Sequence, residues 1–181
     1  SEFNKMLDEL KELPTMLDEL LKMASKIEEL SEQYYAYKNF LYLGRNLNYP
    51  IALEGALKLK EVSYIHAEGY PSGELKHGPL ALIDSKMATT VIMPKDSLFV
   101  KNLNIVKEIN SKGGKVISIT SNQAEAGSNK DKNIIYIPDT SELITPLLTC
   151  IPLQLFSYFT AIKLGRNVDK PRNLSKSVTV E

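Results

Sequence analysis

Two stretches of the chain place side chains capable of proton and carbonyl chemistry beside glycine or proline. His77 stands directly before Gly78-Pro79, and Lys176 lies in a tail that contains Pro171 and Arg172. Regular backbone is interrupted at such residues, so the neighbouring side chains can point into a cleft. Imidazole titrates near neutral pH, and a neutral lysine amine attacks carbonyl carbon. Acid–base catalysis and Schiff-base formation are therefore the chemistries to consider.

Both stretches also have a purely structural interpretation. A loop histidine such as His77 is often inert, and the tail could be a frayed terminus or an added edge strand, because Ser177–Val180 alternates by residue type. A free tail, however, has no need of apolar residues such as Leu174 and Val180. They predict that the tail docks, which would desolvate Lys176 and favour its neutral, nucleophilic form.

A third group of charged residues lies on a predicted helix. Glu54, Lys58 and Glu61 follow at spacings of four and three, which places them on one stripe of the helix. One interpretation is a surface ion pair with an extra carboxylate, worth a few tenths of a kcal/mol. The other is a semi-buried ridge on which Glu61 moves protons between adjacent carbons of a sugar. The spacing permits both.

Composition narrows the class of protein. The chain has 181 residues, 43% hydrophobic and 24% charged, and 22 basic side chains balance 22 acidic ones. This fits one soluble domain with a sizeable core and predicts neither nucleic-acid nor membrane binding. We expect no apolar run of the roughly 20 residues that span a bilayer. The single cysteine, Cys150, fits a reducing cytoplasm and lies in an apolar run, which predicts a small buried hydrophobe.

The elements that must position these residues follow from hydrophobic periodicity. Residues 4–37 predict a helical lead-in that Pro14 divides into two helices and that packs on another domain or subunit. Beyond it, strands alternate with helices, which predicts an α/β fold with a parallel sheet covered on both faces. The predicted strands are 40–43, 67–70, 89–93, 116–120 and 134–137, and the predicted helices are 51–65, 98–111 and 143–164. Ligands of such sheets bind beyond the carboxyl ends of the strands, where the loop Gly44–Pro50 falls.

Three segments carry a resemblance to a known family: Ala52–Glu61, Glu74–Asp84 and Asp169–Glu181. Together they closely resemble the C-terminal end of the glucosamine-6-phosphate synthases, the isomerizing glutamine–fructose-6-phosphate aminotransferases, and the likeness runs roughly from Phe40 to Glu181. It implies a three-layer αβα sugar-isomerase (SIS) domain with about five parallel strands. The implied division is a helical lead-in over 1–38, the SIS domain over 39–165 and a catalytic tail over 166–181.

The resemblance also implies roles for individual residues. Lys176 corresponds to the lysine that forms a Schiff base with fructose 6-phosphate, and Glu61 to the acid/base that moves a proton between C1 and C2. His77 corresponds to the ring-opening histidine, which relatives supply to the neighbouring subunit's site. Lys58 is similar to an assisting active-site lysine. The backbone around Ser175 and Lys176 contacts the sugar in relatives.

The implied reaction makes glucosamine 6-phosphate from fructose 6-phosphate and glutamine, without a metal or an organic cofactor. The implied partners are a sugar phosphate, a second copy in a homodimer, and the glutaminase domain and first SIS subdomain of the same protein. This sequence holds no glutaminase cysteine, and its loop Gly44–Pro50 offers Arg45 but no serine for a phosphate. We therefore expect the chain to be inactive alone. The alternatives are a non-catalytic SIS module that binds a sugar phosphate or nucleotide sugar, and a half that mainly supplies a dimer interface.

Overall fold

A computed structural model describes residues 2–124 and 132–175. The strands in these residues are β1 (Asn39–Gly44), β2 (His66–Pro71), β3 (Met87–Ile92), β4 (Lys115–Thr120) and β5 (Ile134–Tyr136). The α-helices are α1 (Glu2–Lys22), α2 (Ala24–Tyr34), α3 (Asn48–Ser63), α4 (Phe99–Ser111) and α5 (Thr145–Lys163). Two short 3₁₀ helices, Ser72–His77 and Pro79–Leu82, follow β2. The predicted alternation of strands and helices is confirmed, with boundaries that differ by at most three residues.

All five strands are parallel, in the order β2-β1-β3-β4-β5. The chain leaves β1 through α3 to form β2 on one side, and then crosses to form β3 on the other side of β1. The order therefore reverses between β1 and β3, and the loops that follow these two strands form a topological switch point. The predicted loop after β1 lies there.

The sheet is covered on both faces, as the α/β prediction requires. Side chains alternate along β1, so Phe40 and Tyr42 face one layer while Leu41 and Leu43 face the other. The first face carries the larger core, which is formed with α1, α2, α3 and α5. The second face packs against α4 and the segment after β2, through residues such as Leu75 and Ile109. The three-layer αβα architecture is confirmed.

The helical lead-in differs from its prediction in two ways. Pro14 lies inside α1, and the break comes instead at Met23, between α1 and α2. Because proline has no backbone N–H, the carbonyl of Leu10, four residues before Pro14, loses its helical hydrogen bond. Both residues are exposed, so water can donate to that carbonyl instead. The prediction that Pro14 divides the helices is therefore wrong.

The lead-in also packs on its own domain. Leu20, Ile27 and Leu30 are at most 2% exposed within the larger core. In addition, the Glu9 carboxylate accepts hydrogen bonds from the backbone N–H of Ser141, at 3.1 and 3.2 Å, and from its hydroxyl, just before α5. The expectation that these helices need another domain or subunit is wrong for these residues.

Helix α5 lies at the centre of this layer. Among the described residues it is the one helix long and apolar enough to cross a bilayer, which the sequence prediction did not anticipate. Half of its apolar window is buried against the rest of the domain, so it is a core helix here. Cys150 on α5 is only partly buried, which corrects its predicted place in the core.

Candidate functional site

The charged stripe predicted on α3 is present and forms a connected cluster. Lys58 Nζ lies 2.6 Å from Glu61 Oε2 and 3.7 Å from Glu54 Oε1. The side chains of Lys58 and Glu61 are 33% and 30% exposed, so the pair is neither a free surface pair nor a buried one. The helical spacing of three and four residues accounts for the contacts, because such residues stack on one face of a helix.

The carboxylates of this cluster determine the protonation state of Lys58. The hydrogen bond to Glu61 raises the pKa of Lys58 above its ordinary value, partial burial opposes that rise, and the charges of Glu61 and Glu54 add to it. Lys58 is therefore an ammonium group at neutral pH. Such a group stabilises negative charge nearby, but it cannot attack a carbonyl. The Glu61 carboxylate keeps a second oxygen that can accept a proton from a ligand.

Cys150 on α5 lies close to Glu54 and Lys58 of this cluster, a neighbour that the sequence did not predict. Partial burial raises the pKa of the Cys150 thiol, the Glu54 charge raises it further, and the Lys58 charge lowers it. The thiol is therefore protonated at neutral pH and is a weak nucleophile. Its closeness to Glu54 and Lys58 follows from the packing of α3 against α5, which no local sequence pattern reveals.

The tail returns to the end of α3 that carries Glu61. After α5, Gly165 turns the backbone with a φ of 66°, and the Arg166 N–H donates to the Ala161 carbonyl at 2.9 Å. Further on, the Arg172 N–H donates to the Tyr64 hydroxyl at 2.9 Å. Tyr64 is the residue that ends α3, three positions after Glu61. The first part of the tail thus docks near the Lys58–Glu61 pair.

This docking differs in detail from the prediction. Leu174 is 55% exposed, so it does not serve as the apolar anchor that the sequence analysis expected. The anchor is the tyrosine at the end of α3, reached from more than a hundred residues away. Ser175 is exposed and is the last described residue, and the predicted imine-forming Lys176 lies outside the described residues.

His77 lies elsewhere on the protomer. It is exposed at the end of the 3₁₀ helix that follows β2, and Gly78 behind it has a φ of 149°. Glu61, in contrast, lies in the last turn of α3, just before β2 begins. The two residues are therefore at opposite ends of β2, a strand of six residues that spans about 16 Å. One protomer brings Lys58, Glu61 and the start of the tail together, but not His77.

Arg45, in the loop at the switch point, is directed toward the segment that follows β2. The Arg45 Nε–H donates to the Ser72 hydroxyl at 3.0 Å, so the guanidinium is engaged after β2. The cleft between the loops after β1 and β3 is lined by Asn46, Lys95, Asp96 and Glu142 among others. Lys95 is paired with Asp139 at 3.1 Å, and two carboxylates line the cleft, so it is a poor site for an anion.

Within residues 2–124 and 132–175, no group of three or more histidine, cysteine or carboxylate side chains is placed to hold a metal ion.

Comparison with known proteins agrees with this architecture. The family model described as the SIS domain matches residues 33–164. The chain belongs to the SIS domain family. Its fold is similar to that of the C-terminal domain of glucosamine-fructose-6-phosphate aminotransferase from Francisella tularensis, with a TM-score of 0.85 and 42% identity. That likeness covers 92% of this chain and 47% of the solved one.

Curated relatives of this SIS domain share one description. The glutamine–fructose-6-phosphate aminotransferase (isomerizing) of Aquifex aeolicus is 53% identical over 180 residues, which are 99% of this chain and 30% of that protein. The enzyme of the same name from one strain of Thermus thermophilus is 45% identical over 180 residues, again 30% of its length. The chain thus spans about 30% of the length of these relatives.

Proposed function

We propose that this SIS domain is the C-terminal part of an isomerizing glutamine–fructose-6-phosphate aminotransferase. The observation that carries the proposal is identity of 53% over 99% of this chain with a protein of that name. The structure supports it by joining a half-buried lysine–carboxylate pair to the start of the tail at the end of α3. The substrates would be fructose 6-phosphate and glutamine, and the product glucosamine 6-phosphate.

Each candidate residue has a defined task in this reaction. The neutral Lys176 amine condenses with the C2 carbonyl of the open-chain ketose and releases water, and ammonia from glutamine then displaces the lysine. Glu61 takes a proton from C1 and returns it to C2, which turns the ketose imine into the amino aldose. The Lys58 ammonium lies 2.6 Å from Glu61 and stabilises negative charge in this site while Glu61 moves the proton. The backbone at Ser175 binds the sugar.

His77 completes the set from a second copy of the chain. It is exposed at the opposite end of β2 from Glu61, so a partner is the simplest source of a ring-opening base for each site. We propose a homodimer in which His77 of one protomer opens the furanose ring of fructose 6-phosphate in the site of the other. We also propose a cytoplasmic location, in keeping with a lone cysteine that forms no disulfide within the chain.

The proposal can be tested by restoring the segments that this chain lacks relative to its relatives. A chimera joins residues 1–181 to the preceding part of the Aquifex aeolicus enzyme, and borohydride reduction in the presence of fructose 6-phosphate traps the imine. We expect the sugar adduct on Lys176, loss of product formation in Lys176→Ala, and normal activity in the matched control Lys170→Ala. Full activity of Lys176→Ala would refute the proposed role of that lysine.

A binding measurement separates the catalytic proposal from the alternative of a non-catalytic module. Calorimetry of the 181-residue chain with hexose phosphates and nucleotide sugars measures binding without turnover. Tight binding that is unchanged by Lys176→Ala and by Glu61→Gln would favour the non-catalytic module and count against the enzyme.

A further inference from the structure

Tyr64 holds the tail through three separate contacts. The guanidinium carbons of Arg172 and Arg166 lie 4.2 and 5.1 Å from the centroid of its ring. Its hydroxyl oxygen accepts the hydrogen bond from the backbone N–H of Arg172 at 2.9 Å. Arginine over a tyrosine ring within about 6 Å is attracted by the ring quadrupole. One side chain therefore binds both ends of the segment 166–172.

The backbone of Tyr64 is unusual for a residue with a large side chain. It has φ 65° and ψ 16°, the left-handed conformation in which helices commonly end on glycine. Its N–H donates to the Lys60 carbonyl at 3.1 Å, so this conformation also closes the last turn of α3. A tyrosine is less favourable than glycine in this region, because its Cβ comes close to the following carbonyl oxygen. The contacts of the Tyr64 ring with Arg166 and Arg172 offset this backbone strain.

We infer that Tyr64 is a positioning residue for the proposed reaction: it anchors segment 166–172 at the end of α3 and so sets where the last residues of the chain begin relative to Glu61. The inference rests on the proposed function, because it assigns Tyr64 a task only if Lys176 forms the imine. Tyr64 itself touches the tail and need not touch the substrate.

The number of residues between the anchor and Lys176 gives the expected size of the effect. With the anchor in place, Lys176 is four residues beyond Arg172, and an extended chain of four residues reaches at most about 14 Å. Without it, we count the tether from Gly165 at the end of α5, eleven residues before Lys176. The effective concentration of a tethered group falls roughly as the 3/2 power of tether length, so it should drop about fivefold.

Three variants separate the anchor from general stability. Tyr64→Leu removes the ring and the hydroxyl, whereas Tyr64→Phe keeps the ring and removes only the acceptor for Arg172. The matched control is Tyr35→Leu, since Tyr35 also follows a helix and has a lysine, Lys163, 6.0 Å from its ring centroid. Hydrogen exchange of residues 166–172 is measured in the 181-residue chain. The rate of borohydride-trapped imine formation and the kcat and KM for fructose 6-phosphate are measured in the chimera.

We expect Tyr64→Leu to accelerate exchange in 166–172 and to lower kcat and imine formation about fivefold, with KM within about twofold of the parent. Tyr64→Phe should fall between Tyr64→Leu and the parent, and Tyr35→Leu should match the parent in both measurements. Unchanged exchange in Tyr64→Leu would overturn the anchor itself. Faster exchange with unchanged imine formation would overturn its role in positioning. If Lys176→Ala were fully active in the same chimera, the proposed role of Lys176 would fail while the exchange result for Tyr64 stood by itself.

Discussion

Replacing Gly44 by alanine should displace the helix that carries the candidate site. Gly44 is the last residue of β1, and a Cβ added there would lie 2.1 Å from the carbonyl oxygen of Asn48 and 2.5 Å from its carbon. Real Cβ atoms essentially never come closer than 3.0 Å, and the opposing atoms are backbone atoms of the first turn of α3. That turn would therefore have to move by about 1 Å, a strain that typically costs about 3 kcal/mol. In a protein of this size the melting temperature should fall by about 6–12 °C.

The matched control is Gly73→Ala. The three atoms nearest to a Cβ at Gly73 all belong to the guanidinium of Arg45, at 3.3 to 3.4 Å, and such a flexible end can shift. Its unfolding free energy should stay within about 0.5 kcal/mol of the parent. Urea unfolding of the two variants and the parent, followed by far-ultraviolet circular dichroism, measures both quantities. A Gly44→Ala variant as stable as Gly73→Ala would refute the close approach of β1 and α3 on which the placement of the site depends.

Two further predictions concern the ion pair, and one concerns the thiol. Because Lys58 and Glu61 are each about one-third exposed, Lys58→Met should lower the unfolding free energy by less than about 1 kcal/mol in urea titrations; a loss above about 2 kcal/mol would show a more buried pair. The pKa of Lys58 is raised on folding, so this stabilisation is complete below its ordinary value of 10.5 and is lost as the pH rises through the folded value. The urea midpoints of parent and Lys58→Met should therefore differ by a constant amount from neutral pH to about 9 and converge at higher pH; convergence below about pH 9 would contradict the raised pKa. Burial chiefly raises the pKa of Cys150, so iodoacetamide should modify it more slowly than free cysteine at pH 8, as followed by mass spectrometry; an equal rate would count against its placement beside Glu54.

Local patterns in the sequence predict most of the fold and one part of the site. Alternating apolar runs and glycine stops place the five strands, and a helical spacing of three and four residues places Lys58 against Glu61. These features depend only on neighbours along the chain. The prediction that Pro14 ends a helix is wrong because its neighbourhood is exposed, and solvent there can replace a lost hydrogen bond.

Contacts between distant segments could not be predicted in this way. The hydrogen bond between Arg172 and Tyr64 joins residues 108 apart, and no short pattern marks Tyr64 as an anchor. Its left-handed backbone would have been visible in the sequence only if the residue were glycine. The exposure of Leu174 also depends on the route of the tail rather than on residue type. The proposed roles of Lys176, Glu61, His77 and Ser175 remain predictions from the resemblance.

Helix α5 links the two ends of the described chain. Its start is fastened to α1 through Ser141 and Glu9, its side packs on α2 and α3, and its last turn leads directly into the tail. The lead-in and the tail are therefore connected through one helix, roughly 28 Å long for its 19 residues, with Pro152 in its interior. Helix α1 and the tail are therefore mechanically coupled through α5.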